Sequence, residues 1–284
     1  MRIAIVIPFY NEESFLKDCI HSFINQTKVP NQIILVDDSS TDASTEIAQA
    51  LAKDHDFITY IKHESRAQRS PGAKVIQAFN YGLKQIIEAD FIGKFDADVI
   101  LPHHYFDSLN EAFKANTNLG MCAGLLYIQD EKGWIYENIA DRNHIRGPIK
   151  YYSKACFEAI GGLYAELGWD SIDTLLAECQ GFEITTLKNI QVKHLRPTSQ
   201  DYHSKSDYYL KKGISYYRMG YDFKLSFLSI LKQYSRSKKI NAVYQQLRGF
   251  FKAKKTASIT PYVSPQQARC IKKLRYQKIR KKIF

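Results

Sequence analysis

The chain has 284 residues, 45% hydrophobic and 24% charged, which is too apolar for a disordered chain and enough for one large α/β domain, alone or with an extension. Its formal net charge of +11 is unevenly placed: residues 224–284 carry 17 Lys and Arg and no acid, so residues 1–223 hold the other 23 against all 29 Asp and Glu, a net of −6. A mildly acidic body with a basic tail points the tail at an anionic surface, membrane or nucleic acid.

The five cysteines are odd in number and lack any CxxC pair. They predict neither a disulfide framework nor a zinc ribbon, and a reducing cytosol is the default. The opening MRIAIVIP is too short for a leader, and no apolar run reaches the ~18 residues of a spanning helix, so neither is expected.

In chain order, residues 3–7 (IAIVI) read as a buried strand. A helix follows from Asn11, its expected N-cap, to Phe23, with Phe15, Cys19, Ile20 and Phe23 on one face. Residues 32–36 (QIILV) read as a second strand ending in Asp37-Asp38, with a helix to about Leu51; residues 57–61 read as a third. Then come a loop holding Arg66 and Arg69, a helix from about Ala73 to Ile87, and a strand at 91–95 that ends in Asp96-Ala97-Asp98. Later segments predict a helix at 104–114, a strand at 120–128, a strand or turn and short helix over 147–162, a helix at 170–179 and a strand at 182–187. Continuous apolar strands alternating with helices predict a mostly parallel sheet covered on both faces, with ligands beyond the carboxyl ends of its strands. The polar groups at Tyr10-Asn11-Glu12, Asp37-Asp38 and Asp96-Asp98 all fall at such ends and are expected to share one crevice.

Two carboxylates at i and i+2 can grip one hard divalent ion and bridge it to phosphate oxygens; an isolated DxD is more often a solvated turn, but its place after FIGKF, matched to the earlier clusters, reverses that reading. Asp37 or Asp38 can accept from a base or a ribose hydroxyl, or cap the following helix. Arg69 and Lys74, in RSPGAK, are candidates for contact with a nucleotide or its phosphates. His103 and His104 read as structural.

Taken together, VIPFYNEES (6–14), ILVDDSSTD (34–42), FDAD (95–98) and GWDSID (168–173) resemble the family 2 glycosyltransferases of the GT-A fold over residues 1 to about 200. The resemblance implies a Rossmann-like α/β domain over 1–220 with a C-terminal helical extension, 221–284. It implies that Pro8, Tyr10, Glu12, Asp37 and Asp38 line a nucleotide-sugar pocket, and that Asp96 and Asp98 serve ribose and a Mg²⁺ or Mn²⁺ on the diphosphate. Asp170 stands where that family keeps its base. The acid that usually precedes it is Trp169, and Asp173, on the same helix face, is the substitute. His194, in VKHLRP, resembles a third metal ligand, with Arg196 beside it for a phosphate. No QxxRW motif occurs, which favours single addition over polymerisation.

The expected activity is therefore inverting transfer from a nucleoside diphosphate sugar, UDP-linked by preference, to a lipid-linked or glycan acceptor. The alternatives are a nucleotidyltransferase, which would want a Gly-rich loop that PFYNEES lacks, and a basic nucleic-acid binder, which the acidic body opposes. No nucleic-acid partner is expected. From Tyr221 onward, apolar arcs beside Lys and Arg (Phe223, Phe227, Ile230, Leu231 and Tyr234; then Val243, Leu247, Phe250 and Phe251) describe either interfacial helices on anionic lipid or helices packed on the core. The expected location is the cytoplasm, peripheral at the inner face of the plasma membrane.

Overall fold

A computed structural model describes residues 1–64, 72–197 and 206–283. Ten helices and nine strands are assigned among them, and all nine strands lie in one sheet. Its first half is parallel: β3 (Ile58–Lys62), β2 (Gln32–Asp37), β1 (Ile3–Phe9) and β4 (Phe91–Phe95), in that order. β1 is buried at every position, as a strand covered on both faces must be. Helices α1 (Leu16–Ile24), α2 (Ser44–Asp54) and α3 (Ala73–Leu83) form the crossovers. Gly82 lets α3 settle onto the sheet, since a Cβ there would stand 2.6 Å from Val36 Cγ2 and 2.7 Å from Val6 Cγ1.

The second half is mixed. β8 (Ile149–Ser153) runs antiparallel to β4, and β6 (Leu119–Asp130) runs antiparallel to β8. β9 (Glu183–His194) lies parallel to β6, and the short β5 (Val99–Ile100) closes on β9. β7 (Gly133–Tyr136) extends β6 as a hairpin. β9 is twice the length expected from sequence. Its pairing with β6 jumps from Ala123↔Thr186 to Leu125↔Gln191, so the chain bulges at 187–190 and then resumes the ladder up to His194. A pattern reading stops at that bulge.

Three helices pack around this half: α4 (Tyr105–Ala115), α5 (Lys154–Ala159) and α6 (Trp169–Cys179). The remaining four are α7 (Ser206–Arg218), α8 (Phe223–Ser237), α9 (Ile240–Lys255) and α10 (Pro265–Ile283). A boundary at residue 221 does not follow the packing, because α7 lies against α9 in a close crossing. A Cβ on Gly213 would fall 2.0 Å from the Gln246 carbonyl oxygen, and one on Gly249 would fall 2.1 Å from that of Leu210. α10 is tied to α6 by a Cys179–Cys270 disulfide, Cα atoms 5.9 Å apart, and by a Lys278–Glu178 ion pair. The expectation of unpaired cysteines fails here, because 91 residues of sequence separate two thiols that only helix docking brings together. Cys19, Cys122 and Cys156 are free and buried. No helix among the described residues is long and apolar enough to cross a membrane.

Asn11 is not a helix cap. α1 begins at Leu16, and Asn11 takes the left-handed conformation (φ 53°), where its Oδ1 accepts from Thr41 N at 2.8 Å. Ser44 Oγ accepts from Glu12 N at 2.7 Å, so the loops after β1 and β2 are knitted together at the carboxyl edge of the sheet.

The α7–α9 crossing gives a direct test. Gly249→Ala drives a methyl into main chain, and overpacking of this kind costs on the order of 1–3 kcal/mol. Thermal unfolding of the variant is expected to shift down by several degrees; an unchanged midpoint would refute the close crossing.

Candidate active site

The strand ends meet as expected in the parallel half. Asp96 and Asp98 follow β4, and the main chain of the DxD turn is pinned by Asp96 N donating to Pro148 O at 3.0 Å and Leu195 N donating to Asp98 O at 2.8 Å. The second bond couples the turn to the end of β9.

One charged chain crosses this edge. Arg196 is ion-paired with Glu12, and its Nε lies 3.4 Å from Asp98 Oδ2. Asp98 Oδ1 faces His194 Nε2 at 3.6 Å, and His194 Nδ1 lies 3.1 Å from Glu137 Oε2, which also pairs with Arg146 at 3.1 Å. An ionised carboxylate can only accept, so the Nδ1–H of His194 donates to Glu137; in the neutral imidazole this leaves the Nε2 lone pair turned toward Asp98. Burial raises the Asp98 carboxyl above the usual range, and the Asp96 charge adds to it, against His194, Arg196 and Lys94. Burial likewise pushes Glu12 up to about 7, even with Arg196 opposing.

The other candidates separate. Asp37 is wholly buried and keeps both oxygens occupied: Oδ1 accepts from Ser40 N (2.7 Å), and Oδ2 from Thr45 Oγ1 (2.6 Å) and Tyr60 OH (3.1 Å). It shapes the loop, while the neighbouring Asp38 is half-buried at the surface. Pro8 is buried within β1 and Tyr10 is exposed at its end. Lys74 stands half-buried in the first turn of α3; Arg69 lies outside the described residues.

Asp96 turns its carboxylate onto Lys94, a lysine inside β4 that sequence reading passed over, and Lys94 Nζ also donates to Gly147 O at 3.3 Å. The Asp96 carboxylate is thus drawn to a cation rather than set beside Asp98 and His194. Among the described residues no cluster of three or more His, Cys, Asp or Glu is drawn tight enough to hold a metal. The pair that does face each other nevertheless suits one. Asp98 Oδ1 is buried and accepts no hydrogen bond, and a carboxylate oxygen of this kind is a ligand that Mg²⁺ or Mn²⁺ accepts.

Asp170 and Asp173 differ sharply. Asp173 lies beneath the site, 1% exposed, with Lys150 Nζ at 2.8 Å from Oδ2 and 3.0 Å from Oδ1, and with Tyr152 OH donating to Oδ2 at 2.6 Å. It is locked into a core ion pair that no acceptor reaches, so as a stand-in base it is misplaced. The i, i+3 spacing puts it on the same helical face as Asp170 but deeper. The Asp170 side chain is 37% exposed, with His144 Nε2 at 3.9 Å from Oδ2. Desolvation acts to raise its pKa, but His144, Lys150 and Arg146 outweigh it and hold the carboxyl at about 2. Trp169, in place of the family's acid, packs between two buried lysines, 5.2 Å from Lys94 Nζ and 5.7 Å from Lys150 Nζ. Gly72 and Gly147 leave room for it, since a Cβ on either would come within 3.2 Å of the indole.

The residues that sequence reading missed, Glu137, His144, Arg146 and Gly147, share the loop between β7 and β8. ENIADRNHIRGP carries no motif spacing, and only its density of charge beside a Gly-Pro could have drawn notice. From α7, Lys212 senses Asp170; burial pushes its ammonium down to about 8, with Asp170 opposing.

A sequence profile described as Glycosyl transferase family 2 matches residues 4–163, more than half of the chain and all of the parallel half with the DxD turn. The chain belongs to that family. The poly(ribitol-phosphate) beta-glucosyltransferase of Bacillus spizizenii is 31% identical over 131 residues, covering 44% of this chain and 20% of that protein. The chain spans less than half the length of the curated relatives it matches. Two solved structures share the fold. The mannosyltransferase PcManGT from Pyrobaculum calidifontis, in complex with GDP-Man and Mn²⁺, has a TM-score of 0.56 at 14% identity, covering 100% of this chain and 81% of that one. S. aureus TarS has a TM-score of 0.59 at 16% identity, covering 99% and 55%. The GT-A fold expected from the motifs is the fold observed.

Within this family 2 chain the two acids of α6 are separable by stability. Asp173→Asn leaves Lys150 buried against a neutral partner, and breaking such a pair costs about 3–5 kcal/mol. Denaturant unfolding at pH 7 is expected to show that loss for Asp173→Asn and a far smaller one for Asp170→Asn.

Asp170 also predicts a pH signature. Its folded pKa lies below the ordinary carboxylate value, so its stabilising contribution is complete above about pH 4 and disappears as pH falls toward 2. The gap in unfolding temperature between wild type and Asp170→Asn should be open near pH 5 and close as pH falls below about 4.

Proposed function

We propose that the protein is an inverting glycosyltransferase that moves a sugar from a nucleoside diphosphate sugar, a UDP-sugar by preference, to a hydroxyl of a lipid-linked or polysaccharide precursor. The observation that carries this reading is Asp98 Oδ1, buried and accepting no hydrogen bond, facing His194 Nε2, with the partly exposed Asp170 linked to them through Arg146, which pairs with Glu137 beside His194. A relative named for glucosyl transfer to poly(ribitol phosphate) supports a glycan-type acceptor, and a fold neighbour solved with GDP-Man and Mn²⁺ supports a nucleotide donor with a divalent ion.

Asp98 and His194 would hold Mg²⁺ or Mn²⁺, which when bound supplies positive charge for the diphosphate. The remaining roles fall to side chains. Pro8, Tyr10, Glu12 and Asp38 border the nucleotide, and Asp96, steadied by Lys94, presents a carboxylate edge to the ribose. Asp170 accepts the proton of the acceptor hydroxyl. That oxygen bonds to the anomeric carbon on the face opposite the departing diphosphate, the bond from carbon to diphosphate oxygen breaks, and configuration inverts. Arg196 adds fixed positive charge near the leaving group. His144 and Arg146 keep Asp170 ionised and aimed. The enzyme works peripherally at an anionic membrane face on the cytoplasmic side, as the basic tail suggests.

Calorimetric titration of nucleoside diphosphates with and without Mn²⁺, followed by product analysis on a donor panel, tests the assignment. Wild type should bind one nucleotide in a metal-dependent manner. Asp98→Ala should lose the metal dependence. Asp170→Asn should keep donor affinity and lose transfer by about 10²-fold or more, the scale of general-base catalysis. Full turnover by Asp170→Asn would sink the base assignment.

A further inference from the structure

The α8–α9 hairpin presents two apolar faces. One is interior: Leu225, Ile230, Ala242, Phe250 and Ala253 are buried, and Gly249 locks α9 onto α7. The other looks outward. Phe223, Phe227 and Leu231 stand at i, i+4 and i+8 on α8, and Ile240, Tyr244 and Phe251 lie along one side of α9. All six are between 37% and 73% exposed, among the most exposed large apolar side chains of the protein. Three of them are in ring contact rather than scattered singly. The Phe223 ring lies 5.9 Å from that of Phe227 and 5.4 Å from that of Phe251, joining the start of α8 to the end of α9. Exposed apolar surface of this extent marks an interaction site.

Charge identifies what the strip meets. Arg248 and Lys255 fall on the same side of α9 as Tyr244 and Phe251, and Lys224 and Lys252 flank the aromatic end; all four are exposed. No acidic residue occurs anywhere from 224 to 284. Single-stranded nucleic acid also stacks its bases on aromatic rings, but it would leave the aliphatic Leu231 and Ile240 of this face in water. Phenylalanine on one face with lysine and arginine beside it is the composition of a helix lying in the headgroup layer of an anionic bilayer.

We infer that the outward face of the α8–α9 hairpin is a membrane-docking surface that seats Phe223, Phe227, Leu231, Ile240, Tyr244 and Phe251 among the headgroups of an anionic bilayer, with the lysines and arginines on lipid phosphates. The inference stands on this surface alone and sharpens the location given above.

The test uses the full chain with vesicles of phosphatidylcholine alone and with about 30% phosphatidylglycerol, read by co-sedimentation. Wild type should bind the anionic vesicles at least about tenfold more tightly than the neutral ones and release them in high salt. The triple variant Phe223→Ser, Phe227→Ser, Phe251→Ser should lose at least about tenfold in vesicle affinity while keeping its unfolding midpoint and its nucleotide binding in solution. A second variant, Phe227→Trp, should gain a blue-shifted emission on anionic vesicles that brominated lipid quenches. Absence of vesicle binding by wild type, undiminished binding by the triple variant, or unquenched Phe227→Trp emission would overturn the inference. So would a wild-type dimer that the triple variant abolishes without any vesicle binding, or binding to duplex DNA in place of vesicles. Because nucleotide binding is measured separately, failure on vesicles leaves the sugar-transfer reading standing, and failure to bind nucleotide leaves the docking surface standing.

Discussion

Asp98 is almost out of water, with one carboxylate oxygen accepting no hydrogen bond and the other shared with an arginine. Burying a carboxylate is costly unless charge and hydrogen bonds surround it, and the neighbourhood is built to supply them. Arg196 and His194 come to it from the end of β9, Glu12 steadies Arg196 from the loop after β1, and Glu137 steadies His194 from the end of β7. Remove Arg196 and the buried Asp98 loses its cation. The long, bulged β9 and the short β5 that closes on it are the scaffold that permits this arrangement, because they carry His194 to the edge where the DxD turn ends.

A second buried layer lies below the first. Lys94 and Lys150 point inward from adjacent antiparallel strands, directly paired across β4 and β8, and each finds an acid: Asp96 in one case, Asp173 in the other. Trp169 packs against both. The residue that replaces the family's usual acid therefore fills the space between two cations with an aromatic face, a favourable electrostatic contact. The same layer orients Asp170, whose carbonyl oxygen accepts from Lys150 while its carboxylate stays at the surface.

The C-terminal helices extend this construction outward. α10 is fastened to α6, the helix that begins at Trp169 and Asp170, and α9 is fastened to α7 by two glycines that admit main chain against main chain. The segment that reads in sequence as a separate tail is thus packed onto the body, including the helix that carries Asp170. Its apolar residues answer both readings that the sequence left open, since one set packs inward and another set of similar composition faces out.

Sequence alone determined the parallel half of the sheet and the acids at its strand ends, because continuous apolar runs and the turns that follow them are local and strand-to-crevice geometry is a property of the fold class. It also singled out His194 and Asp170 through resemblance. Tertiary structure alone decided which acids are available. Asp37 and Asp173 share their motifs with accessible neighbours, yet each is fully engaged inside, and burial depth is not written in spacing. It decided that Asn11 bridges two loops rather than capping a helix, that Glu137 pairs with His194 and Arg146 while His144 faces Asp170, and that Cys179 meets Cys270. Each of these depends on contacts between residues far apart in the chain, and a periodic pattern carries no information about such contacts.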